Sequence, residues 1–71
     1  MIPLYQAREG SRVRITDIQA GRGVLRQLKH FGLFTGDTIT IIHNTRGPLI
    51  IGKGNLRFAL GRGMSANVFV E

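Results

Sequence analysis

Gly21-Arg22-Gly23-Val24-Leu25-Arg26-Gln27-Leu28-Lys29-His30-Phe31-Gly32 is where the chain changes period. Before it, Ser11 to Ile18 alternates. Val13 and Ile15 point one way, and Arg12, Arg14 and Thr16 the other, as in a half-buried strand. After Gly21, Val24, Leu25, Leu28 and Phe31 recur at helical spacing, and Gly32 supplies the left-handed residue that ends a helix. The spacing predicts a helix from near Arg22 to Phe31. A helix of about ten residues is marginal alone in water. Its apolar stripe must therefore pack on strands.

Outward from this helix, the segments are short and apolar. Gly32-Leu33-Phe34-Thr35-Gly36-Asp37 reads as a turn. Thr38 to His43 is rich in β-branched residues, with Ile39 and Ile41 on one face. Asn44 to Pro48 is a loop, and Leu49 to Ile51 a strand. Gly52-Lys53-Gly54-Asn55 turns it into Leu56 to Leu60, where Leu56, Phe58 and Leu60 alternate with Arg57 and Ala59. Gly61-Arg62-Gly63 breaks that strand, and Val68 to Val70 is the last, with Val68 and Val70 inward. The order is strand, helix, then four short strands. The fold class expected is mostly β: a small, partly open antiparallel barrel of about five strands, with one short helix after the first. Seventy-one residues hold one domain, 1–71, too small for a cleft between lobes.

Composition narrows the function. Hydrophobic residues make up 42% of the chain, enough for a packed core. Cysteine is absent, which removes disulfides, thiolate metal sites and Cys nucleophiles, and agrees with a reducing cytoplasm. No apolar run is long enough for a membrane span, and Met1-Ile2-Pro3-Leu4 does not open a signal peptide. A soluble, cytoplasmic protein is expected. Ten basic residues, eight of them Arg, against four acidic ones give a net charge of +6. Such a field favours an anionic partner.

Enzymatic signatures are thin. The carboxylates Glu9, Asp17, Asp37 and Glu71 form no close pair for acid–base work, and neither Ser11 nor Ser65 lies in a nucleophile elbow. No enzyme is expected. His30, His43 and Asp37 are the candidates for a metal, although His30 near a helix C-terminus is equally explained by the helix dipole. Gly61-Arg62-Gly63-Met64-Ser65-Ala66 spells G-x-G-x-x-A without the βαβ unit that a dinucleotide fingerprint needs.

The basic residues say more. Arg22, Arg26 and Lys29 fall at i, i+4 and i+7, opposite Val24, Leu28 and Phe31, with no acidic residue at i±4. Arg12 and Arg14 line the outer face of the first strand. Together they suggest a docking face for an acidic macromolecule, with Leu33 and Phe34 as exposed apolar anchors. The alternative is a basic barrel that binds nucleic acid by stacking bases on aromatics. Phe31 and Phe58 fall on inward faces, however, and Phe34 and Phe69 make no aromatic–basic–aromatic strand, so no stable nucleic-acid complex is expected.

Leu25-x-x-Leu28, Phe31-Gly32-Leu33-x-x-Gly36-Asp37-x-Ile39, Gly47-Pro48-Leu49-x-Ile51, Ala59-Leu60-Gly61-Arg62 and Ser65-x-x-Val68-x-Val70-Glu71, in that order, resemble the ferrous-iron transport protein A (FeoA) family. Phe31 stands where that pattern has Leu, Thr35 where it has Pro and Ser65 where it has Ala. The resemblance implies an SH3-like barrel with one inserted helix. It implies a cytoplasmic accessory protein of ferrous iron uptake, partnered with the membrane transporter that carries a GTPase domain, ferrous-iron transport protein B. The same module also forms the C-terminal domain of iron- or manganese-responsive repressors. A chain with its own Met1 and no helix-turn-helix is expected to take the accessory role. The resemblance also attaches weak transition-metal binding, with no cofactor required. Exposed edge strands of such a barrel permit homo-oligomers.

Overall fold

β-Branched, alternating segments become strands, and the segment with period 3.6 becomes the helix that seals one end. The computed structural model describes residues 1–71. It runs β1 (Ile2–Pro3), a 3-10 turn (Leu4–Gln6), β2 (Arg12–Ile18), α1 (Arg22–His30), β3 (Thr38–His43), β4 (Leu49–Lys53), β5 (Leu56–Leu60), α2 (Arg62–Ser65) and β6 (Val68–Val70). The strands form one antiparallel sheet in the order β1-β6-β2-β3-β4-β5.

The sheet curls because β2 serves two partners. Its first half pairs with β3, Val13 opposite Ile39, and its second half with β6, Ile18 opposite Val68. The register shifts between Ile15 and Asp17, and the Thr16 hydroxyl at the shift donates to the Phe69 carbonyl at 3.2 Å. A bulge of this kind bends a strand and increases its twist. Ile15, Ile39, Ile41, Leu49, Ile51, Leu60, Val68 and Val70 are buried on the inner face of the curl. Leu28 from α1, Leu33 from the following turn, and Leu4 and Ala7 from the N-terminal segment complete the core. The sheet stays open, with β1 and β5 at its edges.

Several expectations need correction. Six strands replace five, because Ile2–Pro3 adds to β6, so the helix follows the second strand. Gly61-Arg62-Gly63 does more than break the sheet: Gly61 precedes the single turn of α2. Leu56 is 60% exposed, since it pairs with Lys53 at the hairpin end, beyond the core. Phe31 is 36% exposed, because as the C-cap of α1 it meets Phe58 at the sheet edge, ring centroids 5.5 Å apart. Leu33 is buried, at 1% exposure, and not an exposed anchor. Gly32 adopts φ +77°, so Leu33 N–H reaches back to the Leu28 carbonyl (3.0 Å) and Gly32 N–H to that of Lys29 (2.9 Å). This doubly bonded helix end brings the residue after the glycine onto the apolar side of the last turn, so Leu33 and Leu28 enter the core together.

Candidate functional site

Of the ten Lys and Arg side chains, only those of Lys53 and Arg62 are engaged with other protein groups. Lys53, at the end of β4, donates to Asp37 Oδ2 at 2.8 Å and to the Gly32 carbonyl, and its Nζ sits 5.6 Å from the Phe34 ring centroid. Asp37 also accepts the Phe34 N–H at 2.8 Å. The Lys53 hydrogen bond holds the Asp37 carboxyl below its ordinary value against the opposing effect of burial, and the Phe34 N–H and the Lys53 charge add to it. Arg62 donates to the carbonyls of Thr45 and of Gly47, the latter at 3.1 Å, and fastens the β3–β4 loop to α2. These two cations are structural.

The cations of α1 are free. Arg22, Arg26 and Lys29 are exposed and surround half-buried Leu25, and the four line a shallow depression of about 310 Å³. The helix seats itself through Leu28, its one fully buried side chain, which turns these residues outward. Gly21 at the N-cap offers no side-chain bond, and the first turn holds no acid. Arg22 thus stands at the positive end of the helix dipole, where a cation costs about 0.3–1 kcal/mol. An apolar centre ringed by unpaired cations suits a docking surface for an acidic partner.

The remaining candidates divide. Arg12 and Arg14 are exposed on the outer sheet face, but the depression that Arg12 borders, about 520 Å³, contains no residue of α1. The structure therefore splits the expected basic surface in two. Phe34 is exposed at 47%, with the Lys53 ammonium over its ring, and the apolar residue among the α1 cations is Leu25 and not the expected anchor Leu33. His30 is exposed, His43 Nδ1 lies 3.6 Å from Glu9 Oε1, and Asp37 is committed to Lys53. No three His, Asp or Glu side chains are gathered as metal ligands. Sequence reasoning missed Arg57. Its signal was the two-residue hairpin turn Gly54-Asn55, which sets Gly52 opposite Arg57.

A model of the FeoA domain matches residues 2–71. Across all 71 residues, covering 87% of the relative, the chain is 37% identical to a protein of Methanocaldococcus jannaschii that bears the provisional name Fe(2+) transport protein A. A crystal structure of an iron uptake regulatory protein, FeoA, matches 99% of this chain and 93% of its own, with TM-score 0.88 and 33% identity. The zinc complex of FeoA from Stenotrophomonas maltophilia, described as a procaryotic SH3 domain protein, matches 100% of this chain and 91% of its own, with TM-score 0.85. At 21% identity that last likeness speaks for the fold, which is SH3-like.

Proposed function

The chain belongs to the FeoA family, accessory proteins of Fe(2+) transport, and on that premise we propose that it acts as a non-enzymatic adaptor in the cytoplasm. Its α1 face docks the cytoplasmic region of the membrane iron transporter that carries a GTPase domain, ferrous-iron transport protein B. One observation carries the reading: Arg22, Arg26 and Lys29 stand unpaired around Leu25, on a helix whose own dipole disfavours the first of them. A local conflict of this kind is expected where a surface serves binding. Long-range attraction would speed encounter with an acidic face, and Leu25 would supply the desolvated centre. The aromatics favour protein over nucleic acid as the partner. No aromatic ring lines the α1 depression, Phe31 packs on Phe58, and the exposed Phe34 ring already has the Lys53 ammonium 5.6 Å from its centroid, so the α1 cations are not interleaved with a row of stacking rings.

The test is calorimetry with the soluble GTPase domain of the transporter. Arg22→Glu with Arg26→Glu is expected to weaken binding by about tenfold or more and to steepen its loss with salt. Unchanged affinity in the double variant overturns the choice of face.

A further inference from the structure

The outer face of the sheet carries a second cationic surface, to which α1 contributes no residue. Arg12 of β2 stands opposite Thr40 of β3, Thr40 opposite Gly52 of β4, and Gly52 opposite Arg57 of β5. Residues directly opposite in an antiparallel sheet point to the same side. One row across four strands therefore reads arginine, threonine, glycine, arginine. Strand spacing puts the two arginine Cα atoms roughly 14 Å apart. Between them stands short Thr40, and Gly52 has no side chain, which leaves room for Ile42 to lie across it. Gly52 does not adopt a positive φ, so its backbone does not demand glycine, and a Cβ there would stand 3.1 Å from Ile42 Cδ1. The result is a trough of about 520 Å³ bordered by the polar Arg12, Thr38, Thr40, Asn55 and Arg57 and by the apolar Ile42 and Leu56.

No carboxylate and no aromatic ring borders this trough. The side chains of Arg12, Thr38, Thr40, Asn55 and Arg57 are all unengaged: the two ion pairs of the molecule are Glu9–His43 and Asp37–Lys53. Five groups able to donate hydrogen bonds thus face solvent together, two of them permanently charged.

We infer that the trough binds an extended acidic segment of a partner polypeptide, laid across the strands between Arg12 and Arg57. In an extended chain, side chains on one face recur every second residue, and residues four apart span about 13 Å. Two carboxylates at that spacing meet the two guanidinium groups, each able to bind a carboxylate through a pair of N–H donors. The intervening backbone passes over Thr40 and over Ile42, whose side chain lies above Gly52 and offers an apolar contact between the two charged ends. A single-stranded nucleic acid would bring the same charge, but would find no ring on which to stack a base. The inference does not depend on docking through α1, which contributes nothing to the trough.

The experiment is an amide NMR titration at near-physiological salt with a synthetic heptapeptide, Glu alternating with Thr. Shifts centred on Thr38, Thr40, Gly52 and Arg57 are expected, with affinity falling about tenfold in Arg12→Gln and again in Arg57→Gln. Arg22→Glu with Arg26→Glu is expected to leave that binding in place, so failure of the trough and failure of the helix face are distinguishable. Both arginines are exposed, and retained spectral dispersion checks the fold of each variant. Shifts confined to α1, affinity unchanged from wild type in the Arg12→Gln and Arg57→Gln proteins, or tighter binding of a single-stranded oligonucleotide to the same residues overturns the inference.

Discussion

Lys53 and Arg26 have the same formal charge and opposite fates. Lys53 closes the turn between α1 and β3 by joining Asp37 and the Gly32 carbonyl to the end of β4. Arg26, on the outer face of α1, joins nothing and lines an open depression beside Leu25. Four carboxylates against ten cations cannot neutralise the chain. The fold spends Asp37 where a turn must be held and leaves α1 without an acid. Charge at the fastened end is therefore read in stability, and charge on α1 in binding.

The largest effect that could break this contrast lies under α1. Leu28→Ala removes the only fully buried side chain of the helix and should cost about 2–5 kcal/mol. Chemical denaturation measures it, and a loss below about 1 kcal/mol would mean that Leu28 does not seat α1. Next comes Asn44. Its Nδ2 donates to the carbonyls of Tyr5 (2.9 Å) and Ala7 (2.7 Å), fastening the N-terminal segment to the end of β3. Asn44→Ala strands both acceptors and should cost about 2 kcal/mol by the same measurement.

Lys53→Met sharpens the contrast through pH. Its loss at neutral pH should be about 1 kcal/mol, because the pair with Asp37 is partly exposed. The folded-state value of Asp37 lies below its ordinary value of 3.8. Its contribution is therefore complete above that ordinary value and disappears as pH falls through the lower, folded one. The gap between wild-type and Lys53→Met stabilities should be widest at pH 7 and narrow in strong acid to the part owed to the Gly32 carbonyl; a gap independent of pH would assign the Lys53 effect to that bond and to packing. The smallest expected change is that of Arg22→Glu, about 0.6–1 kcal/mol and in the stabilising direction, since it removes a cation from the helix N-terminus and places an acid there. A clear destabilisation by thermal melting would show that Arg22 is fastened after all.

Much of this was legible. The shift from period 2 to period 3.6 after Gly21 places β2 and α1, and the β-branched run Thr38 to His43 places β3. Gly32 announces the helix end, and its partner Leu33 carries a further signal, since a residue following such a glycine packs back on the last turn. Leu56 and Phe31 obey their periodicity and still lie exposed, because alternation fixes the side a residue faces without fixing how far the core extends beneath it. The dipeptide Ile2-Pro3 is too short to register as a strand by pattern, and β6 makes it one by pairing. Asn44 looks like a loop residue, and its two bonds to Tyr5 and Ala7 join segments more than thirty positions apart.

Local physics alone determined α1 with its capping glycine, the five longer strands, and the absence of any acid within a helical turn of Arg22, Arg26 and Lys29. These depend on spacing along the chain, which a linear sequence displays in full. Tertiary structure decided which charges meet. Arg12 and Arg57 flank one trough because three successive strand pairings line them up through Thr40 and Gly52. Register across a sheet is set by turn geometry and by which face is buried, and a slip of one residue would turn Arg57 to the other side.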